Sequence, residues 1–524
     1  MYSTAEASGR YTVDVSNPLD MLADGSFPGL QDGKLNLAGY FGRSAKEIYS
    51  ALLITSNIKK IDHKALFKLR MRAFRALLNE DDSIRNSWNA RLAASGQRGI
   101  VTCAGTRQQM ANAFVIFRML QSYKCTLPLA IMYWGKDELD RTSLQAFKKH
   151  LPHVKFYDIS ERYPKHHSSL RDDVLAPDEF LGYAIKAAAL YTAPFREVLL
   201  LDADSLPLHD PTDLFDVPGY LRHRNMWWSD CWVKEPGIWS LLGLSNSALN
   251  PWSKGGLREF GSPASTPMQV LQVESGQILI DRAVHWEALE WILFLNSHGG
   301  IVYKQPNMWG DKDTFRPAFA LARDRSRDFY QVSHAAGWGI IDHEYETIRH
   351  PRYKFGGAIH FHPTTGSPLF HHRTAWSKFP GDAYPNKWHF ITHVSPPMSA
   401  AQNSVLTATY EGWNPKFPLL SFLHFQRRDW GFYEREVQSI VCDDTDGSGR
   451  EASVSPSSGS CSLSALAEAD VQCCDRTMAA KERSPWPITL VRVESDPWLG
   501  RRFLEAVEAH KLFLIATGVD PPKE

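Results

Sequence analysis

Hydrophobic positions along this chain change period several times, and each change marks an element. From Lys64 to Asn89 the apolar residues Leu66, Leu69, Phe74, Leu77 and Leu78 recur at helical spacing with basic residues between them, which predicts one amphipathic helix. Gly99 to Cys103 (GIVTC) is a short β-branched run, and a turn at Gly105 leads into the helical stripe Met110, Phe114, Phe117 and Leu120. Leu127 to Tyr133 reads as a second strand, Asp137 to His150 as a second helix, and Val154 to Ile159 as a third strand. An Ala-rich helix over Phe180 to Tyr191 precedes Val198 to Leu201 (VLLL), a fourth strand that is wholly apolar. Apolar strands alternating with helices predict an α/β fold with a mostly parallel central sheet flanked by helices. Ligands of such sheets bind beyond the carboxyl ends of the strands, and Asp202 follows directly on one.

A second half begins with the strand Gln277 to Asp281 and the helix Ala283 to Asn296. A loop at Gly310-Asp311-Lys312-Asp313 and a His-rich stretch from His360 to Arg373 follow. Beyond Ser395 the pattern fades; residues 443–484 are rich in Ser, Gly and Asp and read as disordered, and Trp498 to Thr517 reads as a terminal helix. The expected organisation is an N-terminal extension (1–98), a central domain (99–394), a C-terminal extension (395–442), a linker (443–484) and a terminal helix (485–524).

Composition narrows the function classes. At 43% hydrophobic and 22% charged residues, the chain has the balance of a protein with a large core. Lys plus Arg equals Asp plus Glu at 58 each, so no basic excess points to nucleic acid and no acidic excess to a solvated tail. The 17 Trp serve either to stack on carbohydrate or to pack the core. The 7 Cys are odd in number and lack paired CxxC units, so neither a zinc site nor a redox compartment follows from them. No stretch reaches the about 18 apolar residues of a membrane span, the N-terminus MYSTAEASGR has no signal-peptide core, and there is no N-x-S/T sequon.

The strongest chemical signal is EVLLLDADSLPLHDP. Two carboxylates one residue apart, on a chain leaving an apolar strand, cannot both be buried without partners. Asp202 and Asp204 can chelate a hard divalent cation, Mn²⁺ or Mg²⁺, which would neutralise a diphosphate and stabilise its departure. The bland reading is a turn or helix cap built from two Asp side chains. A phosphatase of the haloacid dehalogenase type also carries D-x-D after a strand, but its D-x-D-x-[TV] pattern fails here at Leu206, and its strand opens the domain instead of coming fourth.

EVLLLDADSLPLHDPTDLF, VESGQILIDRAVHWEAL, GDKDTFR and GSPLFHHR resemble, in order and spacing, the fungal α-1,3-mannosyltransferase family, the cell-wall mannan α-mannosyltransferases, over about Gly99 to Lys378. The resemblance implies a GT-A fold, GDP-mannose as donor, Mn²⁺ (or Mg²⁺), transfer with retention and residence in the Golgi membrane. It places Thr102, Ala104 and Gly105 against the nucleotide, with Arg107 as a phosphate or base contact; the residues alone also fit an ordinary strand-to-helix turn. Lys186 would balance phosphate charge, and Ala203 would leave room for the ribose. Glu274, Ser275 and Gly276 would cradle the donor sugar, with Gly276 permitting close backbone approach and Gln277 facing the anomeric carbon or a hydroxyl. Asp311 or Asp313 would supply negative charge to an oxocarbenium-like transition state, and Lys312 would touch the leaving phosphate. His372 is the expected third metal ligand, with His371 next in line. Where the family tends to show Gln-His-Asp-Pro, this chain reads His360-Phe361-His362-Pro363.

The expected partners are therefore a nucleotide-sugar donor and a glycan or glycoprotein acceptor, with no nucleic acid. Two rivals stay open: a UDP-sugar-dependent transferase of the same fold, and a non-catalytic glycan-binding relative. The membrane anchor that the resemblance implies is not visible in the chain, which suggests a truncated gene product or one retained by partners.

Overall fold

The computed structural model describes residues 63–164, 166–167, 181–230, 235–251, 272–323, 328–332, 334, 336–342, 353–373, 378–383, 391–395, 491–492 and 497–519, with short pieces at 2–5, 10–13, 30–31, 34–35 and 52. The readings of 395–442 and 443–484 lie outside the described residues.

Helices α1 (His63–Glu80) and α2 (Asp82–Ala93) replace the single helix expected over 64–89. The break falls at Asp81, whose extended backbone and side chain cap the second helix by accepting a bond from the Ser83 amide at 2.9 Å. Strand β1 (Gly96–Cys103) leads through a capped turn into α3 (Arg107–Ser122). β2 (Leu129–Tyr133), α4 (Arg141–His150) and β3 (Lys155–Asp158) follow, then α5 (Leu181–Thr192) and β4 (Phe195–Asp202). The chain continues through β5 (Ser205–Pro207), β6 (Asn225–Ser229), β7 (Val273–Asp281), α6 (Trp286–Asn296) and α7 (Lys312–Leu321). It closes with β8 (Gly337–Asp342), β9 (Tyr353–Phe361), β10 (Pro368–Arg373), β11 (Ile391–Ser395), β12 (Val491–Arg492) and α8 (Pro497–Ala516).

The central sheet has the order β6-β7-β4-β1-β2-β3. β4, β1, β2 and β3 run parallel, while β7 is reversed between β4 and β6. This is the mostly parallel α/β sheet that the alternation predicts. Alternate residues of β4 divide between two cores: Val198 and Leu200 pack with α1, α2, α5, α6 and α7, whereas Leu199 and Leu201 pack with α3, α4, α8 and a second sheet. That second sheet, β12-β11-β8-β9-β10-β5, is antiparallel throughout.

The junction of the two sheets determines where the chemistry sits. Asp202 is the last residue of β4, Ser205 the first of β5, and only Ala203 and Asp204 lie between them. Ser205 pairs with His372 of β10, and the Arg373 amide donates to the Asp204 carbonyl at 2.9 Å. The His-rich stretch from His360 to Arg373 is thus the end of β9 and all of β10, a hairpin docked onto the acidic turn. Among the described residues no helix is long and apolar enough to cross a membrane.

A buried polar knot fixes α6 against α5. The Glu290 carboxylate, fully buried, accepts bonds from the Tyr191 hydroxyl (2.6 Å), His166 Nε2 (2.9 Å) and His167 Nε2 (2.8 Å). Burial pushes the Glu290 carboxyl up, but the two imidazoles outweigh it and hold it well below the ordinary carboxylate range. Such a carboxylate stabilises the fold above its unfolded pKa of about 4.3, and the contribution disappears as pH falls through the lower folded value. Glu290→Ala removes the acceptor and strands three donors. It is expected to cost about 3–5 kcal/mol in urea unfolding at neutral pH, with a smaller cost in acid.

Candidate active site

Asp202 lies where the Val198/Leu200 face of β4 ends, so its carboxylate turns toward α5 and α7. Lys186 rises from α5 to meet it: its Nζ donates to Asp202 Oδ2 at 2.7 Å and to the Ser275 hydroxyl at 2.8 Å, and stands 3.2 Å from Asp311 Oδ2. Asp204 faces the opposite side of the turn. There His372 Nε2 is 3.3 Å from its Oδ1 and Lys378 Nζ is 2.5 Å from its Oδ2. His372 Nε2 is also 3.8 Å from Asp202 Oδ2, and its Nδ1 is 3.3 Å from Glu274 Oε1.

Asp202, Asp204 and His372 each present one ligand atom, all within 4.8 Å of one another. Two carboxylate oxygens and an imidazole nitrogen suit Mn²⁺ or Mg²⁺ better than a soft ion. The local electrostatics agree. Burial lifts the Asp202 carboxyl to about 6 despite Lys186, and the Asp204 charge adds to the rise. Burial alone would also raise Asp204, but His372 and Lys378 hold it well below the usual range. The other group among the described residues able to hold a metal, His166, His167 and Glu290, is the knot between α5 and α6.

The expected donor cradle is present, with changes in its details. A ladder irregularity between β6 and β7 sets Trp227 opposite Ile278 but Trp228 opposite Glu274, so Ser275, Gly276 and Gln277 depart from the regular pairing with β6. A side chain at Gly276 would come within 2.8 Å of the His372 ring, so this glycine permits the close approach of the third candidate ligand. Glu274 Oε1 accepts the amides of Ser275 (2.7 Å) and Gly276 (2.9 Å), tying the irregularity shut. Gln277 is fully buried; its Oε1 accepts from the Ser205 hydroxyl at 3.1 Å, while its Nε2 has no partner and remains a donor for a ligand.

The acidic loop is a correction. Asp311, Lys312 and Asp313 form the buried start of α7 and not an exposed turn. Asp311 shares Lys186 with Asp202 and stands 3.3 Å from the Ser275 hydroxyl, so it belongs to the site. Lys312 is bound into the wall by Asp230 at 2.9 Å, Asp313 at 3.3 Å and the Gln272 side chain. Asp313 accepts the Trp309 amide at 2.6 Å and serves the turn.

The nucleotide turn also differs from expectation. The amides of Gly105 and Thr106 both donate to the Gln109 side chain, and the Ala104 amide donates to the Met132 carbonyl. These backbone donors are spent inside the fold as a capping box. Arg107 is not poised for phosphate: its guanidinium donates to the carbonyls of Gly381 (2.9 Å) and Thr517 (3.3 Å), fastening α8 to the domain. Thr102 is buried with its hydroxyl unpartnered, and Ala203 lies between the two aspartates. His371 points away from the acids: its Nε2 meets the Gly356 carbonyl, and its ring packs on Phe503. His360 meets the Ser229 carbonyl, and His362 lies 3.3 Å from Asp213. Sequence reasoning missed Lys378 and Asp230, which no local motif marks because each is placed by tertiary packing. It also missed Cys103, although its place opposite Asp202 follows from parallel pairing of β1 and β4.

Comparison with known proteins follows this geometry. Residues 97–362, just over half of the chain, match the family model described as "Mannosyltransferase putative". The chain is 25% identical over 265 residues to alpha-1,2-mannosyltransferase MNN2 of Saccharomyces cerevisiae, covering 46% of this chain and 42% of that protein. It is 29% identical over 262 residues to alpha-1,2-mannosyltransferase MNN21 of Candida albicans, covering 45% and 39%. The chain thus spans less than half the length of these relatives. Their names carry an α-1,2 linkage, whereas the resemblance was to an α-1,3 family. Among solved structures, the mannosyltransferase Ktr4p from S. cerevisiae aligns over 54% of this chain and 81% of its own at 11% identity, with a TM-score of 0.29. His372 and Lys378 lie beyond the matched residues.

A pH signature follows from the site. Burial would lower the His372 pKa, but Glu274 and Asp204 raise it well above the ordinary value, which favours the protonated ring. Binding a cation there requires it to lose that proton, and Asp202 to stay ionised. Calorimetric titration with MnCl₂ is expected to show affinity rising up to about tenfold from pH 6 to pH 7, with proton release scaling with buffer ionisation enthalpy. Affinity independent of pH would remove His372 from the ligand set.

Proposed function

We propose, from the premise that this chain belongs to the mannosyltransferase family, that it is a retaining GT-A α-mannosyltransferase moving mannose from GDP-mannose to a mannose-containing glycan or glycoprotein, with Mn²⁺ (or Mg²⁺) as its cofactor. The observation that carries this reading is the convergence of Asp202, Asp204 and His372 at the carboxyl end of the central strand. When bound there, the cation would neutralise the donor diphosphate and favour its departure.

The chain's own groups divide the remaining work. Lys186, held above its ordinary pKa by Asp202 and Asp311 although burial opposes this, keeps a permanent positive charge beside the phosphate position. Asp311 brings negative charge to the same pocket from the opposite wall. A sugar ring gaining oxocarbenium character is stabilised by such a carboxylate, whether the acceptor attacks on the front face or a nucleophile intervenes. Glu274 and the free Nε2 of Gln277 offer an acceptor and a donor to sugar hydroxyls, and Ala203 adds no bulk between the two acids. Lys312 and Asp313 support this wall from behind. Residence in the Golgi membrane completes the reading; co-fractionation of the native protein with Golgi membranes would support it.

A screen of nucleotide sugars tests the reading directly. GDP release from GDP-mannose, abolished by EDTA and restored by Mn²⁺, is the expected result. Release from UDP-sugars alone would select the rival donor, and no release from any donor would select a glycan-binding role. Asp204→Asn is expected to lower kcat by about 10²–10³-fold, as loss of a principal charge-stabilising group does elsewhere.

A further inference from the structure

Among the described tryptophans several are buried, and two, Trp309 and Trp498, are exposed. Trp88, Trp227, Trp228, Trp239 and Trp291 are at most 1% exposed and pack the cores. The indole N–H groups of Trp88, Trp227 and Trp228 bond to Arg282, Asn225 and Phe361 respectively. Trp309 is different: it is 53% exposed, and it lies two residues before Asp311. Tyr183 is also half exposed, at 50%, and sits one helical turn before Lys186 on α5.

Topology brings these two aromatics to one place. α5 leads back into β4, so its first turn lies at the carboxyl end of the strands, where Asp202 ends β4. Residues three apart share a helix face, so Tyr183 stands on the Lys186 side, above the ion pair with Asp202 and Asp311. The turn carrying Trp309 meets it there. Gly310 has φ +133, which L side chains rarely adopt, and a Cβ on it would lie 3.0 Å from the Tyr183 ring. Tyr183 is backed by Tyr303, edge-on at 6.0 Å, and the Trp309 backbone is pinned by Asp313. Both aromatics therefore stand on supported backbone at the mouth of the acidic site.

We propose that Trp309 and Tyr183 form the acceptor subsite, a platform for the apolar C–H face of a pyranose ring that presents its hydroxyl toward Asp311. Exposed aromatics beside a catalytic cleft are suited to this role, since each offers a rigid apolar face with a polar tip and loses little entropy on binding. The position selects a sugar acceptor and not the donor, because the donor's phosphates belong deeper, at Lys186 and the two aspartates. This inference rests on the transferase reading for the identity of the reaction, but binding of a mannoside can be measured without turnover.

Two measurements on the full chain test it. Saturation-transfer NMR with methyl α-mannoside should show saturation at the sugar ring protons in the wild type and its loss in Trp309→Ala. In the GDP-mannose assay, Trp309→Ala and Tyr183→Ala should each lower the ratio of transfer onto methyl α-mannoside to hydrolysis by about tenfold through a raised acceptor KM, with Trp309→Phe and Tyr183→Phe recovering most of it. An unchanged ratio in both alanine variants, or no saturation of the sugar in the wild type, would overturn the platform. A wild type that binds the mannoside but releases no GDP would overturn the donor reading and leave the platform standing.

Discussion

A pair of carboxylates buried at the end of an apolar strand is the constraint around which this molecule is arranged. Ionised groups leave water only when other charges or donors replace it. Asp202 and Asp204 draw in Lys186 from one helix, Lys378 from the segment after β10 and His372 from its hairpin. The buried Asp202 carboxyl still sits near pH 6. Two buried carboxylates and an imidazole converging at one point are suited to a divalent cation and a ligand that needs one.

The architecture makes this arrangement rigid. Asp202 ends β4 and Asp204 lies in the two-residue crossing to β5, so neither acid can move without breaking β4 or β5 from its partners. Gly276 lets the His372 ring press against β7, and the amides of Ser275 and Gly276 close on Glu274. Arg107 at the start of α3 also holds Gly381, in the segment after β10, and Thr517, just after α8. Positional accuracy of this kind is what charge stabilisation in a cleft depends on.

Much of this was legible in the sequence for a simple reason. The four parallel strands announce themselves as apolar runs, and D-x-D stands out because polar residues so close to a buried strand need an explanation. His372 over His371 came from the resemblance, whose pattern places a His directly before Arg373. What stayed hidden depends on tertiary contacts. Lys378 and Asp230 carry no local motif, and Lys312 looked free because nothing nearby in sequence shows Asp230 and Gln272 closing on it. The turn at Ala104-Gly105 looked like a nucleotide cradle, but its amides serve the Gln109 capping box. The break at Asp81 was missed because periodicity continues across it, whereas the cap is a single side-chain bond.

Anomalous scattering at the manganese edge, from crystals grown with Mn²⁺ and GDP, bears most directly on the central claim. The account requires one peak bounded by Asp202, Asp204 and His372, with phosphate density beside it and Lys378 displaced from Asp204. A map with no peak there, or with the ion held only by His166, His167 and Glu290, would contradict it.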